Sequence, residues 1–242
     1  MRFFTLPSEH SGAICAVADR EEALGYWVDK PLLSQPDEVV PMTVATWSGT
    51  LAQDADAFAP DVRNWSVAAR SELHDKLDRL GAIAEQRGVM GRLLLRPHAR
   101  HILSDWNSCA RFMAQRETSG DTRTALLVDP ASMLTKQMLT RSAEHLERTF
   151  EQVGQMLRGE TGNASHIGGV VLCNLRKPAG GEVDPLGYDE GDRLVPCGLD
   201  DSGGVLDVGH LVKLARAHLV TGTPVVFTGG SGQGEGQASL LA

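Results

Sequence analysis

His98-Ala99-Arg100-His101, with Asp105 further on, is the run whose residue types come closest to a metal-binding pattern. An H-x-x-H pair at the mouth of a strand offers two imidazoles to zinc, and Asp129 would be a third ligand. The same spacing also serves ordinary buried or surface histidines. Asp129 is followed by Ser132, but no histidine is assignable as the base that a serine nucleophile needs. No G-x-S-x-G elbow is present, which disfavours an α/β-hydrolase. Cys15, Cys109, Cys173 and Cys197 lie far apart without a C-x-x-C pair, so zinc-ribbon and thioredoxin-type chemistry lack their ligands. Gly180–Asp192 carries Glu182, Asp184, Asp189, Glu190 and Asp192 without calcium-loop spacing, and reads as a solvated acidic loop. The glycine-rich stretch 229–242 holds neither dinucleotide nor P-loop spacing and reads as a flexible tail. His145, His210 and His218 fall on helical stretches with surface character.

These residues are set among short apolar runs that alternate with stretches of helical period. That alternation predicts β–α units around a parallel sheet. Strands are expected at Phe3–Leu6, Pro41–Thr46, Arg92–Leu95, Thr124–Val128, Gly169–Leu172 and Pro224–Phe227. A helix is expected from about Val67 to Arg87, with Leu73, Leu77, Leu80 and Ala84 on one face and Gly88 as its stop. A second runs from about Ser104 to Gln115 and presents Trp106, Cys109, Ala110 and Met113. A third spans Ser142–Arg158, with Leu146, Phe150, Val153 and Leu157 on one stripe and Gly159 at its end. Asp207 reads as the N-cap of a last helix that buries Val208, Leu211, Ala215 and Leu219. Asp19–Val40 and Ser48–Asn64 show little periodicity.

The chain has 242 residues, a net charge of −8 and 42% hydrophobic residues, the composition of an ordinary globular chain. The acidic excess disfavours broad binding to nucleic acid or anionic membrane. No run reaches the ~18 apolar residues of a membrane helix, and no signal peptide opens the chain. The expected compartment is a reducing cytosol with free thiols. Homo-oligomerisation is left open.

Four segments in order carry a family likeness: Leu94-Leu95-Arg96-Pro97-His98, Leu127-Val128-Asp129-Pro130-Ala131-Ser132, Leu172-Cys173-Asn174-Leu175-Arg176-Lys177, and Val195-Pro196-Cys197-Gly198 with Gly204-Val205-Leu206-Asp207. Pro224-Val225-Val226-Phe227-Thr228 follows. From about Arg92 to Thr228 the chain resembles the xylose isomerase-like TIM barrels, which include sugar isomerases and sugar-phosphate epimerases. The resemblance implies an α/β fold of the TIM-type (β/α) barrel, incomplete at its N-terminal side, spanning 1–228 as one domain. A full barrel needs eight strands, and six are legible.

In that family, Glu, Asp, His and Glu hold a divalent metal that polarises the sugar oxygens. Here the first Glu position reads Arg96, the Asp is kept as Asp129, and a nearby His position reads Ser132. The His of the H-x-K-D pattern reads Asn174, its Lys position Arg176, its Asp position Lys177, and the last Glu Thr228. By resemblance, Asp129 and Lys177 are the catalytic candidates. Arg96, His98, Asn174, Arg176 and Thr228 are the substrate-binding ones, with no resident metal or other cofactor expected. Arg96 and Lys177 would replace the ion as the cations facing Asp129 and would hold a sugar phosphate or sugar-derived carboxylate. The alternative is an inactive barrel that serves as a binding or scaffold protein.

Overall fold

Buried parallel strands read as continuous apolar runs, because both faces of the sheet are covered. Thr124–Val128 is such a run, and all five of its residues are buried. A computed structural model of the protein describes residues 2–5, 14–16, 42–51, 61–86, 91–161, 164–177 and 194–227. The acidic loop 180–192, the stretch 229–242, Gly88 and Thr228 lie outside the described residues. The strands are β1 (Arg2–Thr5), β2 (Ile14–Ala16), β3 (Met42–Trp47), β4 (Gly91–Arg96), β5 (Thr124–Val128), β6 (Ile167–Leu172), β7 (Asn174–Arg176), β8 (Val195–Cys197) and β9 (Pro224–Phe227). The helices are α1 (Val67–Gln86), α2 (Trp106–Thr118), α3 (Ser142–Leu157) and α4 (Val208–His218).

The chain divides into two compact units, one of Glu9–Leu126 and one of Met1–Ser8 with Leu127–Ala242. In the first, β2, β3, β4 and the start of β5 lie side by side in sequence order, every pairing parallel. In the second, β1 and β6 flank β9, again in parallel, and β7 and β8 form a separate antiparallel pair. The first strand thus lies beside the last. The described pairings establish a parallel α/β sheet but do not include closure into a ring.

The β3–β4 register runs from Met42 opposite Gly91 to Trp47 opposite Arg96. Both strands therefore end level, and residues that face each other across the pair sit about 4.8 Å apart in the hydrogen-bonding direction. That register sets the geometry of the site described below.

The helices follow the expected faces with a few shifts. α1 buries Ala69, Leu73, Leu77 and Leu80, and the Ser66 hydroxyl accepts from the Ala69 N–H at 3.1 Å. α2 starts later than its sequence expectation because a capping box fixes it. The Asp105 carboxylate accepts from the Ser108 N–H at 2.7 Å, and the Ser108 hydroxyl accepts from the Asp105 N–H at 3.1 Å. Its buried face is Cys109, Phe112, Met113 and Arg116 rather than Ala110. Asp207 caps α4, accepting from the His210 N–H at 3.1 Å. α3 ends at Gly159, whose φ of 75° is the left-handed stop expected there. α3 and α4 meet at Gly154, where an added Cβ would lie 2.7 Å from the His218 carbonyl oxygen. Only a residue without a side chain permits that approach.

Candidate functional site

In the Glu9–Leu126 unit, four ring or planar side chains converge at the carboxyl ends of β3 and β4. The Arg96 guanidinium lies over the Trp47 indole at 4.3 Å, the geometry of a cation–π contact. The His98 and His101 rings meet the same indole edge-on at 5.6 and 5.5 Å, and each other at 5.1 Å. Trp47, Arg96 and His98 are each 3% exposed, and His101 is 1% exposed.

Backbone bonds hold this cluster. The Ser48 N–H donates to the Arg96 carbonyl at 2.8 Å, which extends the pairing past β3. His98 closes a tight turn, its carbonyl accepting from the His101 N–H at 2.8 Å. Its Nδ1 accepts from the Arg100 N–H at 3.2 Å. That acceptor role puts the proton of the neutral ring on Nε2. The fully buried Asn64 ties the loops together. Its amide donates to the Thr50 hydroxyl at 2.7 Å and to the Arg100 carbonyl at 2.8 Å, and its oxygen accepts from the Leu51 N–H at 2.6 Å.

The second unit places the other candidates differently. Asp129, 0% exposed, accepts from the Ser132 N–H at 3.0 Å and from the Ser132 hydroxyl at 2.5 Å. The Cys173 thiol donates to its two oxygens at 3.4 and 3.6 Å. A buried carboxylate needs such donors, and Ser132 and Cys173 supply them. Asn174 is buried and works as a clip. Its oxygen accepts from the Leu175 and Leu206 N–H groups at 2.8 Å each, and its amide donates to the Leu206 carbonyl at 3.1 Å. Arg176 is exposed and pairs with Asp201 at 3.5 Å. Lys177 is exposed. Within this unit, then, Asp129 and Lys177 stand in opposite environments, and Asn174 spends its side chain on the Leu175 and Leu206 backbone.

Among the described residues, no group of three or more His, Cys, Asp or Glu side chains is arranged to hold a metal ion. Burial, then the nearby Asp201, pushes the Cys197 thiol up to about 11, and burial raises Cys109 as well. Neither is a ready thiolate at neutral pH. No described helix is long and apolar enough to cross a membrane.

Sequence reasoning passed over Trp47, Asn64 and Cys173. Trp47 and Cys173 carried a usable signal, because each stands at or just past the carboxyl end of a strand, as Arg96 and Asp129 do. Asn64 carried none, lying in a stretch without periodicity.

No protein-family model matches the chain, and no curated protein matches it. Among solved structures it is similar to a xylose isomerase-like TIM barrel protein from Mycobacterium smegmatis in complex with magnesium. The TM-score is 0.42 and the identity 12%, over 84% of this chain and 60% of that one. This chain thus spans 60% of that protein's length. At this level of similarity, the α/β assignment rests on the chain's own strands and helices, and nothing about ligand, metal or activity passes from that protein to this one.

Proposed function

We propose that the chain is a divergent xylose isomerase-like barrel protein that binds a small anionic sugar derivative, a sugar phosphate or sugar acid, without a resident divalent metal. The observation that carries this reading is Arg96 stacked on Trp47 with His98 and His101 beside it. In parallel α/β folds, ligands lie beyond the carboxyl ends of the strands, and this is where the four side chains meet. A guanidinium stacked by its face makes hydrogen bonds through its edge, the edge that matches a phosphate or carboxylate. The His98 and His101 rings lie beside it against the same indole. Catalysis by Asp129 and Lys177 draws no support from their placement. The reading is therefore one of binding, with isomerase or epimerase turnover outside it.

One observation favours the alternative, an inactive barrel acting as a scaffold: all four side chains are almost completely buried. Calorimetric titration separates the two. Glucose 6-phosphate, gluconate, inorganic phosphate and neutral xylose are the probes. The expected result is saturable binding of the phosphorylated sugar, absent for xylose and weakened at least tenfold in Arg96→Met. Arg96→Lys keeps the charge but loses the fork, so it should bind weakly while remaining folded. Wild-type protein that ignores every anionic probe would make the cluster a packed structural element.

A further inference from the structure

We infer that Asn64 is the latch of a two-loop cover over the Arg96 cluster, and that parting of these loops admits the anion, an inference that rests on the anion-binding reading above. Trp47, Arg96, His98 and His101 are almost completely buried. A ligand can reach them only after a covering segment has moved.

Two loops leave the strand ends that carry the cluster, 48–51 after β3 and 97–103 after β4, and the second contains both histidines. They run joined. The Ser48 N–H donates to the Arg96 carbonyl at 2.8 Å and the Ile102 N–H to the Gly49 carbonyl at 3.0 Å. Ser48, Gly49, Ile102 and Leu103 are buried, whereas Thr50, Leu51, Ala99 and Arg100 are half-buried. The joined loops therefore meet water at 50–51 and 99–100.

Asn64 closes across that edge. Its one side chain bonds Thr50 and Leu51 of the first loop and Arg100 of the second. Its own backbone is fixed. Val62–Trp65 is a 3-10 turn capped by Asp61, whose carboxylate accepts from the Arg63 N–H at 2.9 Å, and the Asn64 N–H donates to the Asp61 carbonyl at 3.0 Å. On the loop side, Gly49 has a φ of 84° and lies between Ser48, bonded to β4, and the residues bonded to Asn64. A glycine at that point gives the first loop the backbone freedom of a hinge. Hydrogen bonds exchanged with water contribute little net free energy each, so a latch made of three opens without unfolding the unit.

Asn64→Leu keeps the volume and loses all three bonds, and Thr50→Val is a milder variant that loses one. Labelling of the native protein with diethyl pyrocarbonate, read by peptide mass spectrometry, reports opening at His98 and His101. His74, buried on α1, is the control for general loosening. The expected result is slow labelling of all three in the wild type. His98 and His101 should label about tenfold faster in Asn64→Leu, with a smaller rise in Thr50→Val and no change at His74. Association of glucose 6-phosphate, followed by stopped-flow tryptophan emission, should quicken by the same factor, because entry scales with the open fraction. Unchanged labelling of His98 and His101 in both variants overturns the latch. A rise shared equally by His74 overturns it too and makes Asn64 a plain support of the unit. In both cases calorimetric binding of glucose 6-phosphate by the wild type leaves the anion-binding reading standing. Variants that open while the wild type binds no glucose 6-phosphate remove that reading, and the role of the opening in anion entry with it.

Discussion

Arg116→Met is expected to lower the unfolding free energy by about 3 kcal/mol, roughly 6–12 °C in Tm for a chain of this size. Arg116 is a buried arginine on α2. Its guanidinium donates to Asp121 at 2.7 Å and to Asp78 on α1 at 2.8 Å, and it lies 3.4 Å from the His74 Nδ1. One side chain thus joins two helices and the turn into β5. Removing one member of a buried pair strands the other charge, which typically costs ~3–5 kcal/mol. The lower end applies here because Asp78 reaches water and Asp121 keeps the Arg123 and Thr124 N–H groups at 2.8 and 3.2 Å. Urea denaturation measures the loss, and a change below about 1 kcal/mol, the range of an exposed pair, would show that the network does not organise this face.

The same network has a pH signature. Burial, then the Arg116 charge, holds His74 below its ordinary value of 6.5. The unfolded chain therefore takes up a proton at His74 that the folded chain refuses, so this contribution is complete above pH 6.5 and is lost as pH falls from there toward the lower folded value. For Asp121, burial works upward but is outweighed by the hydrogen bonds from Thr124, Arg123 and Arg116, which leaves it below 3.8. Its contribution is present above 3.8 and disappears at more acid pH. Stability measured from pH 7.5 to 5 should fall less steeply in His74→Phe than in the wild type. Identical slopes would sink the assignment.

Asp129→Ala is the second large effect, a loss of about 3 kcal/mol. A hydrogen bond to a carboxylate contributes ~1.5–3 kcal/mol, and each buried donor left without its acceptor costs ~1–3 kcal/mol. Here the Ser132 N–H, the Ser132 hydroxyl and the Cys173 thiol all lose that acceptor. Asp129→Asn keeps an oxygen for the Ser132 N–H and should cost less than half as much. A second readout is chemical. Cys173 is buried against Asp129, so its alkylation under native conditions, followed by peptide mass spectrometry, should be slow in the wild type and faster in Asp129→Ala. If Asp129→Ala leaves both stability and labelling unchanged, Asp129 does not pin the end of β5.

Local pattern determined the elements. The apolar run Thr124–Val128, the 3- and 4-residue spacing of Leu73, Leu77 and Leu80, the Asp207 cap and the Gly159 stop all act within a few residues, and each lies where the sequence puts it. β2 and the β7–β8 pair escaped notice, being three-residue strands too short to show a period. Tertiary structure alone decided the partners. The β3–β4 register brings Arg96 onto Trp47, the β5 and β6 ends bring Cys173 to Asp129, and the Leu206 backbone takes up Asn174. These pairings join residues far apart in the chain, and their identity depends on strand register and on which buried polar group finds a donor. A linear spacing records neither. Sequence therefore named Arg96, Asp129 and Asn174 as residues in special positions. Packing made the first part of a cationic stack, the second a hydrogen-bonded anchor and the third a backbone clip, because each buried polar group must be satisfied by whatever the fold brings beside it.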